Sequence, residues 1–424
     1  MLSVRSMENG LQVVTYEMPH MRSLSCTIWI GVGARYETPE IGGISHFIEH
    51  LLFKGTRRRK DNLEISQAIE GVGGSINGFT DKEATCYLVK VPSDEVLLGI
   101  DVLADIVLNS LFEEEAVERE RGVIIEEIKM VRDRPDSWVH VLLEDLVWPN
   151  HPMGRSTAGT EDSVSAMSRE TILDYFSSFY HPGNMVVSIA GNASQEEVNR
   201  AVEGFFQGKE AREKKTFQPT DTKAEGPFVK VERHDIKQAN IALGFPGYPR
   251  LHPRRYALEL LDVILGQGMS SRLFQEVRVR RGLAYSVGSQ YSPHLDTGIL
   301  RIYAGVDSES GKDAVGVILE QLAEIREKLV PDDELRRAKD FYKGSLSLRL
   351  EDTLSLALRH GGHMVLSGKI ISVEEVLERI EAVTSDEIQD VAKDLLRKEK
   401  LSLAAVGPFE GEDEMMGVVG SSVL

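Results

Sequence analysis

The sequence predicts an α+β protein of two similar halves, each a mostly antiparallel sheet covered by helices on one side. Residues 168–191 have the pattern of a helix followed by an apolar strand and a glycine, and residues 385–407 repeat that pattern. Each half also opens with alternating, strand-like segments and continues into helical periodicity. Strands that pair locally, with helices grouped between them, are typical of the α+β class.

The predicted elements follow this plan along the chain. Alternating segments span residues 11–18 and 25–36 in the first half, and residues 228–233 and 239–245 in the second. Helical patterns in the second half cover residues 253–265, 271–281, 311–329, 332–351 and 372–380. Residues 207–227 lack apolar periodicity, which predicts a solvated linker. We therefore predict two domains, an N-terminal half over residues 1–216 and a C-terminal half over residues 217–424.

The composition excludes several classes of protein. The chain carries 49 Lys and Arg against 67 Asp and Glu, a net charge of −18, so it lacks the basic excess of a general nucleic-acid binder. With 42% hydrophobic and 27% charged residues it has the composition of an ordinary globular protein. Its longest apolar stretch, residues 96–108, is interrupted by Asp101 and Asp105, so we expect no membrane span.

The two cysteines, Cys26 and Cys86, both lie in apolar stretches. Two thiols are too few to cross-link a chain of 424 residues, and small buried thiols are the ordinary interpretation of such positions. This predicts a reducing compartment. We expect the cytoplasm, with the mitochondrial matrix, after removal of a targeting segment, as the alternative.

The residues from 44 to 52 carry both a buried stripe and a polar triplet. The apolar residues follow helical spacing, and they are Ile44, Phe47, Ile48, Leu51 and Leu52. His46, Glu49 and His50 fall together on the opposite side of that helix. Two histidines four residues apart can bind one zinc ion, and a carboxylate beside them can take a proton from water on the metal. The alternative is a chance grouping of two surface histidines and a glutamate.

A zinc ion held by two histidines needs a third protein ligand, which is usually a carboxylate. A second helix after residue 110 offers Glu120 and Glu127, which lie seven residues apart and nearly align at the edge of its buried stripe. Glu126 points further toward solvent. We prefer Glu127 as the ligand and Glu120 as a carboxylate that orients a ligand from behind. The alternative is that these carboxylates only solvate the helix.

Together these residues resemble the pitrilysin and insulinase family of zinc peptidases. The order His46-Phe-Ile-Glu-His50 is the inverted form of the commoner zinc motif, and Glu127 ends the segment Glu-Arg-Gly-Val-Ile-Ile-Glu-Glu. Further similar segments are Gly42-Gly43, Phe53-Lys-Gly-Thr56, Asn77-Gly-Phe-Thr80, His151-Pro-Met-Gly-Arg155 and Arg278-Val-Arg-Arg-Gly-Leu-Ala-Tyr285. The chain length resembles the short branch of the family, which includes mitochondrial processing peptidase and its bacterial homologues.

The resemblance implies a role for each matching residue. It implies one zinc ion per chain bound by His46, His50 and Glu127, with Glu49 as general base and Glu120 behind the ligands. It also implies substrate contacts from Arg278 and Tyr285 in the second half, and from Asn77 on an edge strand that pairs with the peptide. Gly78 departs from the alanine expected there. Taken without the resemblance, Arg278 belongs to a solvated arginine cluster and Tyr285 to a core or strand.

We therefore expect a processing-peptidase-like metallohydrolase fold and a zinc metalloendopeptidase that hydrolyses extended or unfolded peptides, basic ones among them, inside a closed chamber. One alternative is a specific presequence-processing peptidase. Another is a non-catalytic scaffold or partner subunit of a peptidase complex. The resemblance also implies a homodimer or pairing with a related subunit.

Overall fold

The structure, a computed structural model, describes residues 1–221 and 226–424, and these form two compact units. The first unit contains Met1–Ile128, Ser156–Gln218 and Leu346–Ile371, and the second contains Lys129–Arg155, Pro219–Ser345 and Ser372–Leu424. The chain passes between the two units five times, one of them between Gln218 and Pro219, and the boundary at 216/217 stays a prediction. The two units nevertheless differ from the two predicted halves, because each includes one segment from the other half. Residues 222–225 of the predicted linker lie outside the described residues.

The described residues contain eleven strands and fifteen α-helices. The strands are β1 (Leu2–Ser6), β2 (Gln12–Glu17), β3 (Ser23–Ile30), β4 (Ser75–Thr80), β5 (Thr85–Pro92), β6 (Met185–Gly191), β7 (Phe228–Arg233), β8 (Gln238–Gly247), β9 (Ala284–Pro293), β10 (Gly298–Asp307) and β11 (Ser402–Gly407). The helices are α1 (Ile44–Leu52), α2 (Asn62–Glu70), α3 (Val96–Asn109), α4 (Glu114–Arg132), α5 (Pro135–Val147), α6 (Glu161–Ala166), α7 (Arg169–Phe179), α8 (Gln195–Phe206), α9 (Arg255–Gly266), α10 (Gly311–Glu327), α11 (Asp332–Arg349), α12 (Thr353–Ser367), α13 (Val373–Ala382), α14 (Ser385–Leu395) and α15 (Glu412–Ser421).

The two sheets repeat one topology, which confirms the α+β class and the similarity of the halves. The first sheet has the order β1-β2-β6-β3-β5-β4 and the second the order β7-β11-β8-β10-β9. Without β1 the two orders correspond strand for strand. In each sheet one pair is parallel, β2 with β6 and β7 with β11, and the other pairs are antiparallel.

Each sheet has helices on both faces, so the expectation of helices on one side was wrong. In the first unit, one face of β3 enters the main core through Cys26, Ile28 and Ile30. Trp29 points to the other face and packs with residues of α12, a helix from the second half of the chain. In the second unit α5, from the first half, packs on β8 and β11 in the same way. Sequence periodicity shows that a helix is amphipathic but not which sheet it covers.

Two predicted elements differ from the observed ones, one in its length and the other in its helix type. The strand predicted over residues 25–36 ends at Ile30, and beyond it the Ala34 N–H and the Arg35 N–H donate to the carbonyls of Asp81 and Lys82 instead of extending the sheet. The helix predicted over residues 271–281 contains a π-helix, Phe274–Arg280. Its hydrogen bonds reach one residue further than in an α-helix. Among the residues that the structure describes, no helix combines the length and hydrophobicity needed to span a bilayer.

Candidate metal centre

The start of α1 is fixed by the residues that precede it. Gly43 has φ of +92°, and a Cβ there would lie 2.4 Å from the Ala158 carbonyl oxygen, so only glycine fits. The buried Glu37 carboxylate accepts hydrogen bonds from the Gly43 N–H at 2.7 Å and the Ser45 N–H at 2.9 Å. These donors would otherwise have no partner inside the helix, so Glu37 caps α1 and sets its direction.

The two faces of α1 divide as the sequence predicted. All five apolar residues of the stripe are at most 1% exposed, and they are Ile44, Phe47, Ile48, Leu51 and Leu52. His46, Glu49 and His50 lie on the opposite face and are partly buried. The rings of His46 and His50 approach with centroids 4.6 Å apart. Packing of the stripe therefore holds the two imidazoles next to each other.

Helix α4 brings Glu127 to these imidazoles. The Glu127 Oε2 atom lies 3.8 Å from His46 Nε2 and 3.6 Å from His50 Nε2. One candidate ligand atom from each of the three residues lies within 4.8 Å of the others. Glu126 is exposed, as the helical spacing predicted. Among the described residues, this is the group whose side chains could hold a metal ion.

The donor set fits a divalent ion such as zinc. Two imidazole nitrogens and one carboxylate oxygen are zinc ligands that leave a coordination position for water. Their separations of 3.6 and 3.8 Å exceed hydrogen-bond lengths, so the groups converge without pairing with one another. Burial, and to a smaller extent the neighbouring His50, lower the pKa of His46 to about 4. A neutral imidazole is the form that can bind a metal.

Glu49 is held by the edge strand β4. The Thr80 hydroxyl donates to Glu49 Oε2 at 2.6 Å. Burial raises the pKa of Glu49, and the bond from Thr80 and the nearby His50 partly oppose that rise. Gly78 lies on the same face of the strand, where a Cβ would stand 3.2 Å from the Phe53 ring and 3.3 Å from Glu49 Cγ. Glycine at this position thus lets β4 lie close against Glu49, which accounts for the departure from alanine.

Glu120 lies behind the ligands. Its Oε2 is 3.2 Å from His50 Nδ1, and its Oε1 is 2.9 Å from the Lys54 ammonium. Burial raises the pKa of Glu120, but the bonds to His50 and Lys54 outweigh this, so its pKa lies below its usual value. An ionised carboxylate can only accept a hydrogen bond, so the His50 proton sits on Nδ1 and leaves Nε2 as the metal-facing atom.

The other predicted site residues are not members of this group. Asn77 is on β4 but exposed, on the face opposite Thr80, and its Oδ1 accepts from the Gly78 N–H at 2.8 Å. Arg278 and Tyr285 belong to the second unit. The Arg278 guanidinium lies 4.9 Å from the centre of the Phe274 ring. Tyr285, which is 46% exposed, lies on the edge strand β9 and lines a cavity of about 310 Å³.

Sequence reasoning missed three residues that shape the site, namely Glu37, Lys54 and Thr80. Lys54 lies four residues after His50, a spacing that brings side chains together on a helix and could have suggested a shared partner. Thr80 is two residues from Gly78, so strand alternation places both on one face. No local pattern connects Glu37 with the helix that it caps.

Comparison with known proteins agrees with this geometry. Residues 12–161 match the family described as Insulinase (Peptidase family M16), and residues 166–342 match the Peptidase M16 inactive domain. An uncharacterized zinc protease of Streptomyces coelicolor is 40% identical over 411 residues, covering 96% of this chain and 89% of that protein. One from Bacillus subtilis is 39% identical over 402 residues, covering 95% and 97%.

The chain belongs to the insulinase family, peptidase family M16. The resemblance to the pitrilysin and insulinase peptidases is thereby confirmed. Solved structures share the M16 fold at low identity. A protease from Helicobacter pylori has a TM-score of 0.89 at 21% identity, covering 96% of this chain and 99% of that one. A chain of complex III from Candida albicans has a TM-score of 0.84 at 18% identity, covering 99% and 100%.

Proposed function

We propose that this M16 protein is a zinc metalloendopeptidase that hydrolyses extended or unfolded peptides. One observation carries the proposal, which is that His46 and His50 on α1 converge with Glu127 on α4 while Glu49 stands beside them. A zinc ion held by these three side chains would polarise the scissile carbonyl and lower the pKa of the attacking water.

Glu49 is the general base in this proposal. One of its oxygens is held by Thr80, which fixes the plane of the carboxylate and leaves the other oxygen to accept a proton from the attacking water. The raised pKa of Glu49 suits it to pass that proton on to the leaving amine. Glu120 holds His50 in the tautomer whose Nε2 faces Glu127.

The preference for extended peptides rests on β4. This strand is the last in its sheet, so its outer backbone groups can pair with a peptide that adds one more strand. Such pairing depends on the peptide backbone more than on its side chains. In the second unit, the cavity beside Tyr285 also contains Asp136 and Tyr303, a carboxylate and a second ring that favour a basic side chain. A closed chamber, pairing with an identical or related subunit and a cytoplasmic location remain parts of the proposal.

A non-catalytic partner subunit is the second candidate, and the match of residues 166–342 to the Peptidase M16 inactive domain favours it. The retained ligand set and base argue against it, because a scaffold has no need for two imidazoles and a carboxylate that converge without pairing. A presequence-processing peptidase would have the same centre but would cut one site per substrate. A mass-spectrometric map of cuts in a mixed peptide library separates the three, since they give many cuts, none, or one per peptide.

The direct test is Glu49→Gln in the full-length chain. We expect about one zinc per chain, as in the wild type, and a rate of peptide cleavage lower by roughly 10²- to 10⁴-fold, the range for loss of a general base. Glu126→Gln is the matched control, because Glu126 is an exposed glutamate next to the ligand Glu127. Cleavage by Glu49→Gln at the wild-type rate would remove Glu49 from the mechanism.

A further inference from the structure

The carboxylate of Glu120 is divided between two partners. Its Oε2 faces His50 Nδ1 at 3.2 Å, and its Oε1 forms an ion pair with Lys54 at 2.9 Å. Lys54 lies two residues after the end of α1, and its N–H donates to the Leu51 carbonyl, so its backbone is fixed by the same helix that carries His50. Both partners of Glu120 therefore come from one short segment of the chain.

Because this carboxylate is buried, it needs hydrogen-bond donors from the protein. The Glu120 side chain is only 8% exposed and that of Lys54 is 31% exposed. A buried carboxylate is stable when its lone pairs are satisfied, and one hydrogen bond from an imidazole leaves most of them without a donor. The Lys54 ammonium supplies the missing donor and the opposite charge. It also fixes the rotation of the carboxylate, so that Oε2 stays directed at His50.

We propose that Lys54 is a positioning residue for the metal centre, acting on His50 through Glu120. Carboxylates that accept a hydrogen bond from a metal-binding imidazole fix the orientation of its ring and increase its basicity. Lys54 holds that carboxylate in place, and the effect reaches the His50 Nε2 atom that faces Glu127. This inference rests on the proposed metal site, and it adds a residue to which the family resemblance assigned no role.

The simpler alternative is that Lys54 only fastens the end of α1 to α4. A fastening role predicts lower stability of the metal-free protein, with no specific effect on the affinity for zinc. A positioning role predicts weaker zinc binding that depends on Glu120. A double-mutant cycle in the full-length chain distinguishes the two, because it isolates the part of the Lys54 effect that passes through Glu120.

The experiment measures zinc dissociation constants by competition with a chromophoric chelator for the wild type, Lys54→Met, Glu120→Gln and the double variant. We expect Lys54→Met to weaken zinc binding about tenfold, the lower end of the range for partners of metal ligands. Lys54→Arg, which keeps the charge, should lose less. In the Glu120→Gln background, Lys54→Met should have no further effect. Lys60→Met is the matched control, since Lys60 forms an exposed ion pair with Glu64 on the same unit.

Each outcome has a definite meaning. Wild-type affinity in Lys54→Met, or an equal loss with and without Glu120, overturns the positioning role while the proposed peptidase stands. Absence of zinc binding in the wild type refutes the proposed function itself. If Lys54→Met does not fold, as judged by circular dichroism, Lys54→Gln gives the same comparison with a polar side chain.

Discussion

Each unit contains a helix next to an edge strand, α1 with β4 in the first and α9 with β9 in the second. The two units differ in how the polar groups on that helix are hydrogen-bonded. Helix α1 follows β3 and helix α9 follows β8, at corresponding places in the two sheets. In the first unit, Thr80 on the edge strand donates to Glu49 on α1. In the second, Ser289 on the edge strand donates to Asp262 on α9. A hydroxyl on the strand and a carboxylate on the helix thus recur in both units.

The difference lies in how completely these groups are paired. Asp262 is 2% exposed and also accepts from the Gln267 amide and the Tyr291 N–H. Glu259 of α9 accepts from the hydroxyl of Tyr342 on α11 at 2.6 Å. In the first unit, the corresponding helices place two imidazoles and Glu127 together at separations too long for hydrogen bonds.

The comparison shows that the shared scaffold does not itself create a metal centre. On α9 the carboxylates of Asp262 and Glu259 are satisfied by neighbouring donors, so there is no electrostatic need for a cation. In α1 and α4 the electron-pair donors converge and only a cation could satisfy them together. The first unit is therefore the one in which we expect metal binding.

The largest expected effect comes from removing the ligand contributed by α4. Glu127→Ala leaves two imidazoles without the carboxylate, and we expect the zinc content of the purified protein to fall from about one per chain to well below stoichiometric. Tyr342→Phe removes the hydroxyl of α11 that donates to Glu259 of α9, and it should leave zinc content unchanged. Metal analysis by mass spectrometry measures both. Stoichiometric zinc in Glu127→Ala would show that the first unit does not need Glu127 to bind a metal.

The next effect concerns the Thr80 hydroxyl on the edge strand β4. Thr80→Val removes the donor to Glu49, and since a hydrogen bond to a charged group contributes about 1.5–3 kcal/mol, we expect kcat to fall roughly 10- to 100-fold. KM and zinc content should change little, and Thr80→Ser should restore most of the rate. Steady-state kinetics on a peptide substrate measure these values. An unchanged kcat in Thr80→Val would contradict the positioning of Glu49 by β4.

The corresponding change in the second unit should affect stability rather than catalysis. Ser289→Ala removes one donor from the buried Asp262, which should lower the free energy of unfolding by about 1–3 kcal/mol. Denaturant titration measures this change. A loss of kcat in Ser289→Ala as large as that in Thr80→Val would contradict the division of roles between the two strands.

Another prediction tests the packing of α12 on the first sheet, using two adjacent glycines. A Cβ on Gly361 would lie 2.4 Å from the indole of Trp29, whereas a Cβ on Gly362 would lie no closer than 3.4 Å to that ring. We expect Gly361→Ala to destabilise the protein by about 1–3 kcal/mol through overpacking. Gly362→Ala should gain about 0.5–1 kcal/mol, as alanine usually does in a helix. Equal unfolding midpoints for the two variants would contradict this contact.

The last prediction concerns a buried imidazole outside the metal centre. Burial, with a smaller contribution from Arg359, lowers the pKa of His360 to about 4. Below its ordinary pKa near 6.5 the unfolded chain binds a proton that the folded chain does not, so stability falls as pH decreases from 6.5 to 4. His360→Phe should remove about 2 kcal/mol of the loss between pH 7 and pH 5. An unchanged pH dependence of the unfolding free energy would refute this assignment.

Local patterns predicted much of this molecule from the sequence. The stripe of α1 fixed which side of that helix His46, Glu49 and His50 occupy, and helical spacing correctly separated Glu127 from Glu126. These are properties of one helix at a time. The covering of each sheet by a helix from the other half, the capping of α1 by Glu37 and the contact of Thr80 with Glu49 all depend on tertiary packing. The ion pair of Lys54 with Glu120 also depends on tertiary packing, because it joins α4 to the segment that follows α1.

The most direct test is anomalous X-ray scattering at the zinc edge from crystals of the zinc-loaded, full-length protein. We predict one strong peak per chain, about 2.0–2.2 Å from His46 Nε2, His50 Nε2 and a Glu127 carboxylate oxygen. A peak that lies elsewhere, or that leaves Glu127 outside the coordination sphere, would contradict the assignment of the metal centre.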